Sequence, residues 1–140
     1  YHHPRQPQSH VEGRHRTICC AHILMAVRRI EPILAEIMEA LDGISAAAAG
    51  KTLDDFNSDW LLRHGIERGI EIISEAARHI PDDLAALAPE IPWKQVRGIG
   101  NVLRHEYHKT SGAIVWAVVT DSLPPLRLAV ERMLEASQRR

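Results

Sequence analysis

Apolar residues in this chain recur at steps of three and four over two long stretches, and that spacing admits little besides packed helices. Ile23, Val27, Ile30, Leu34, Ile37 and Leu41 form the first series, and Leu62, Ile66, Ile70, Ile73, Ala77 and Ile80 the second. Steps of this size set each series along one stripe of a helix and leave the opposite side to polar residues. The composition agrees: it leans to Ala, Leu, Ile and Glu, aromatics make up 4%, and β-branched clusters are few. The expected fold is all-α, a four- to five-helix up-and-down bundle with short connections. At 140 residues one domain can bury a core without help from disulfides or metals.

Punctuation residues divide the bundle. The first helix is expected from about Cys19 to Leu41, kinked at Pro32 and ended by Asp42-Gly43, with Ala46 to Gly50 as connection. Thr52 and Asp55 resemble a capping box that starts a short turn through Phe56. A second long helix runs from about Asp59 to His79 and is closed by Pro81; its Gly65 and Gly69 would admit another helix closely, from the same chain or from a dimer partner. After a turn at Asp82 to Ala88, Pro92 can open a third main helix reaching His105, with Trp93, Val96, Ile99 and Leu103 on its apolar side. Gly98 and Gly100 weaken that helix by about 1 kcal/mol each relative to Ala, which suggests close backbone packing or room left open. Ser111-Gly112 can start a helix over Ala113 to Asp121, and Pro124-Pro125 should break it from a last helix through about Ala136. Residues 1–17, polar and Pro-broken, read as a disordered or artificially appended extension, and residues 18–140 as the helical domain.

The net charge of -1 offers no global basic field, so any anion site must be local. Cys19 and Cys20 are adjacent and have no second pair, which excludes a disulfide framework and fits a reducing cytoplasm. No apolar run approaches the roughly 20 residues of a membrane span, and no signal-peptide pattern is visible. Five of the nine histidines (His2, His3, His10, His15 and His22) crowd the first 22 residues, without the Cys/His spacing of a zinc site. Neither a metal nor a cofactor is expected.

The chemistry concentrates between Pro89 and Tyr107. On a helix Asn101 and His105 stand one above the other, about 5.4 Å apart along the axis, with Arg97 a turn earlier and Tyr107 at or past the helix end. An amide, an imidazole and guanidinium groups facing one way suit a phosphate-bearing ligand; the bland alternative is a polar face with a solvated histidine. Trp60, Trp93 and Trp116 read as core or interface packing, with stacking on RNA bases as the alternative. Glu75 reads either as a helper of a motif side chain or as a surface carboxylate. Arg63, His108 and Lys109 either widen a positive rim or are scattered surface charge.

Several segments together resemble the HepT-like branch of the HEPN superfamily. They are Asp55-Phe56, Ile72-Ile73-Ser74-Glu75-Ala76-Ala77, Pro89-Glu90-Ile91-Pro92-Trp93, Gly98-Ile99-Gly100-Asn101, His105-Glu106-Tyr107, Ile114-Val115-Trp116, and Leu123-Pro124 with Leu126. The resemblance spans roughly Arg28 to Leu134. It implies a homodimer whose motif helices face each other across a cleft where RNA is cleaved without metal. It also implies a type VII-like toxin–antitoxin module, in which a cognate nucleotidyltransferase antitoxin attaches AMP to the tyrosine, here Tyr107. The family motif is Arg, usually Asn, three residues, His, one residue, Tyr. Asn101, His105 and Tyr107 match, but Gly100 stands where the arginine belongs. Arg97 and Arg104 are the available replacements, and arginine installed at Gly100 is expected to raise activity. The alternative is a catalytically weakened HEPN dimer that binds nucleotide, RNA or only its partner; a third reading is a purely structural helical adaptor.

Overall fold

The computed structural model describes residues 11–105 and 111–138, with side chains over 30–105 and 111–137. It is helical, with no strand among the described residues. In order the elements are α1 (Val11–Ala48), α2 (Leu53–Ser58), α3 (Trp60–Ala77), α4 (Asp82–Ala85), α5 (Trp93–His105), α6 (Gly112–Ala117), a π-helical turn (Val118–Ser122) and α7 (Leu123–Gln138). α3 packs between α1 and α5, and α7 lies along α1; α2 bridges α3 and α6. The core follows the two stripes read from the sequence where they are described: Leu34, Ile37 and Leu41 of α1 and Ile66, Ile70 and Ile73 of α3 are all but fully buried, joined by Leu126 and Val130 of α7, whereas Leu62 is half-buried and Ile23 and Val27 lie outside the described side chains. Each such side chain contributes about 1.5–3 kcal/mol of burial.

Local chemistry sets most boundaries. Thr52 and Asp55 form the expected capping box: Thr52 Oγ1 accepts from the Asp55 N–H at 3.2 Å and the Asp55 carboxylate accepts from the Thr52 N–H at 2.9 Å. Asp59 caps α3 by accepting from the Leu62 N–H at 3.1 Å. Phe56 is fully buried, 5.4 Å from the Trp116 ring and with the Arg63 guanidinium 5.6 Å from its own ring centre. Arg63 also pairs with the buried Glu67 at 2.9 Å, which makes it a packing residue instead of part of a positive rim.

Three expectations need correction. α1 begins at Val11 and does not stop at Asp42-Gly43. Ile44 continues the buried stripe one step past Leu41, and the alanines that follow are the best helix formers. The helix ends only where Gly50 adopts φ 71°, a left-handed conformation open to glycine, and the Lys51 N–H reaches the Ala48 carbonyl. Pro124-Pro125 does not break the last helix, because both prolines sit in the first turn of α7, where a missing N–H is tolerated. The π-helical turn before them, closed by the Leu123 N–H on the Val118 carbonyl, carries the chain through. The rod formed in this way, Gly112–Ser137, is by length and composition long and apolar enough to cross a membrane. Its Leu123, Leu126, Ala129 and Val130 are nevertheless buried in the bundle.

The paired glycines of α3 also part company. A Cβ on Gly69 would stand 2.7 Å from Ile44 Cγ1, so this glycine serves the contact with α1 inside the chain, whereas Gly65 meets nothing within 4 Å.

Candidate active site

α5 is fastened by hydrogen bonds at its beginning, and at its end Leu103 packs in the core while the polar side chains stand exposed. Trp93, its first residue, is buried, and its indole N–H donates to the Ala85 and Ala88 carbonyls at 2.9 and 3.0 Å. Two turns of helix then bind to α3. Ser74, 1% exposed, donates its hydroxyl to the Arg97 carbonyl at 2.9 Å and accepts the Gly100 N–H at 3.1 Å. Arg78 Nε donates to the same Arg97 carbonyl at 3.1 Å.

The Arg97 side chain turns back to the end of α3. Its guanidinium donates to the Ala77 carbonyl at 3.2 Å, the Ile80 carbonyl at 2.8 Å and the Asp82 carboxylate at 2.9 Å. The two carbonyls lie where a helix terminus leaves acceptors without intrahelical partners, and a cation there is also favoured by the helix dipole. Arg97 thus works as the cap of α3, with three of its N–H donors, at least one on each guanidinium nitrogen, engaged there.

Gly100 has no room for a side chain. A Cβ there would lie 2.8 Å from Ser74 Oγ, 2.9 Å from Ser74 Cβ and 3.6 Å from the Glu71 Cα. An arginine at this position, expected from the sequence to raise activity, has no seat here, because the position points into α3 and away from solvent.

Past Gly100 the character of α5 changes. Asn101, Arg104 and His105 are exposed, and none makes a hydrogen bond or ion pair with another described residue. On a regular helix His105 lies about 40° to one side of Asn101 and Arg104 about 60° to the other, so the three share a face of about 100°. Arg104 flanks the amide without any fraying. Tyr107, His108 and Lys109 lie outside the described residues.

Carboxylates near this helix already have cations. Glu67 pairs with Arg63 and Glu71 with Arg68, while Glu75 lies 3.7 Å from Arg78 and 3.9 Å from His79. Glu75 is exposed and takes the surface role. Of the tryptophans, Trp93 is buried and Trp116 half-buried, but Trp60 is 70% exposed and stacks on His64 with ring centroids 4.1 Å apart. Among the described residues no group of three His, Cys, Asp or Glu could hold a metal ion.

Sequence reasoning alone misses Ser74 and Arg78. A signal is present for Ser74: a small hydroxyl sits inside the buried Ile70, Ile73, Ala77 stripe, where a polar group must find a partner.

Comparison with known proteins adds a family. Residues 26–133 match the family model described as Ribonuclease HepT-like. A protein of Methanocaldococcus jannaschii named as a candidate RNase is 28% identical over 107 residues, 76% of this chain and 98% of its own length. A candidate RNase of Caldanaerobacter subterraneus subsp. tengcongensis is 28% identical over 74% of this chain and 93% of its own. A Thermococcus cleftensis protein named "Probable ribonuclease HepT" is 31% identical over 71% of this chain and 91% of its own. No solved structure matches the chain.

Proposed function

Because the chain belongs to the HepT-like ribonuclease family, we propose that it cleaves RNA without a metal ion, using the Asn101, Arg104, His105 face of α5. The observation that carries this reading is that those three side chains have no partner among the described residues, on a helix otherwise well fastened. A neutral imidazole takes the proton of the ribose 2′-hydroxyl. The 2′-oxygen attacks phosphorus, and the 5′-oxygen leaves with a proton from an imidazolium, giving a 2′,3′-cyclic phosphate and a 5′-hydroxyl. Arg104 offers its planar fork to the phosphoryl oxygens as charge develops, and Asn101 orients the ring of His105.

One histidine per chain supplies one of the two proton carriers. A homodimer with its two α5 ends facing across a two-fold axis supplies both. Gly69 is filled by Ile44 of the same chain and offers no contact to a second copy, so the need for two proton carriers in one cleft is what calls for the dimer. By its resemblance the protein acts in the cytoplasm as the toxin of a type VII-like toxin–antitoxin pair. A nucleotidyltransferase antitoxin would silence it by attaching AMP to Tyr107, placing a phosphodiester charge beside His105.

The test uses purified protein and a synthetic RNA. Wild type should yield cyclic-phosphate ends in the presence of chelator, and His105→Ala should yield none while keeping its helix content. Light scattering should report a dimer, and a stable monomer at micromolar concentration would remove the two-histidine scheme. Co-expression with the nucleotidyltransferase should add AMP masses that vanish in Tyr107→Phe.

A second reading has an observation in its favour. The arginine position of the motif is closed by Ser74, and Arg97 is occupied at α3, so Arg104 is the remaining cation of the three positions. A weakened site would bind RNA or nucleotide and leave it intact; binding without product in the same assay selects this reading.

A further inference from the structure

On the flank of α5 next to Asn101, a groove of about 380 Å³ runs between α5 and the π-helical turn. Its walls are largely aliphatic, from Ile99 and Val102 on one side and Val118 on the other, with Gly98 in its floor. The polar side chains at its edge are Gln95 and Ser122, both exposed, and neither makes a side-chain hydrogen bond among the described residues. Among the described residues no charged one lines it.

Gly98 is the informative position. Its neighbour Gly100 is small because Ser74 leaves no space, but a Cβ on Gly98 would meet nothing within 4 Å, and its φ is not positive. Neither packing nor backbone conformation asks for glycine there, yet glycine inside a helix costs about 1 kcal/mol relative to alanine. What its smallness achieves is an open path. Gly98 and Asn101, three apart, are neighbours on the helix surface, so the groove communicates with the proposed catalytic face. Val102 lies one turn below His105, which brings the groove within about 5–10 Å of helix rise from that histidine.

Resting on the ribonuclease reading, we propose that this groove is a base subsite, which seats one nucleobase of the RNA close to the cleaved phosphate. A nucleobase is flat and uncharged, with donors and acceptors confined to its edge. Aliphatic walls suit its faces, and an amide and a hydroxyl at the rim suit its edge. A phosphate is served poorly here, since no cation lines the groove among the described residues, and well at Arg104. Gln95 and Ser122 then select among bases.

The experiment measures affinity for single-stranded RNA carrying 2′-O-methyl groups, which cannot be cleaved, by fluorescence anisotropy. Gly98→Leu fills the groove, with Gly98→Ala as the milder variant should leucine fold poorly. Both should melt at or above the wild-type temperature yet bind about tenfold (leucine) and a few-fold (alanine) more weakly. Gln95→Ala with Ser122→Ala should flatten the preference among the four homopolymers. Equal binding by Gly98→Leu and wild type overturns the subsite while leaving the ribonuclease reading intact. No RNA binding by wild type removes both. If Gly98→Leu instead turns a dimer into a monomer in light scattering, the groove is a contact between copies of this chain and the proposal fails.

Discussion

The two halves of α5 hold the same kinds of residue and use them in opposite ways. In the first half Arg97 closes the end of α3 through two carbonyls and a carboxylate, and Gly100 lies against Ser74. In the second half Arg104, with Asn101 and His105 beside it, meets no described partner. The glycines split as well, Gly100 by contact and Gly98 by open space. Residue type says what a side chain can bind, while the neighbouring helix decides whether it is still available.

The sharpest way to break this contrast is Gly100→Arg. Against a side chain 2.8 Å away the new arginine must push α5 off α3, at a cost of about 3 kcal/mol, read as a lower urea midpoint, together with a loss of RNA cleavage. A gain of activity would show that α5 has another seat. Next is Arg104→Ala, which should slow cleavage about a hundredfold, equivalent to about 2.7 kcal/mol of barrier, and move stability by no more than about 0.5 kcal/mol. Arg97→Ala should do the reverse, losing about 2 kcal/mol of stability because the Ile80 carbonyl loses the guanidinium donor and the Ala77 carbonyl keeps only the Ile80 N–H. Its turnover per folded molecule should fall less than that of Arg104→Ala; equal falls would erase the distinction between the two arginines.

The smallest effect concerns the far end of the bundle. The Thr52 backbone N–H, then its hydroxyl, hold the Asp55 carboxyl below its ordinary value. A depressed folded pKa contributes stability that is complete above the unfolded value and fades as pH falls through the folded one. The small advantage of wild type over Asp55→Asn in urea midpoint should therefore be present at neutral pH and shrink below about pH 4. An advantage that does not change with pH would remove the charge from the cap.

Legibility follows the distance between partners along the chain. The α3 stripe and the Thr52–Asp55 box are readable because their partners are three or four residues apart. The end of α1 is misread because Asp42-Gly43 looks like a stop, and only the buried place of Ile44 shows why the helix continues. Asn101, Arg104 and His105 can be singled out by type and spacing. The fate of Arg97 cannot, since its acceptors lie 15 to 20 residues away. Gly98 and Gly100 look alike in sequence and differ only in what faces them. Trp60 reads as packing and stands exposed, because it opens α3 at its solvent side.

The Ser74 hydroxyl makes α5 a cantilever. From Gly100, the last residue it bonds, to His105 is about 7.5 Å of rise, steadied beyond that bond by the packing of buried Leu103, so a tilt of about 8° at that point swings the tip by about 1 Å. Displacements of that size cost about two orders of magnitude in rate when a proton carrier is involved. The accuracy of the working end is thus set by the stiffness of a joint on a neighbouring helix, and residues of α3 that never meet the substrate are subject to the same tolerance as those that do.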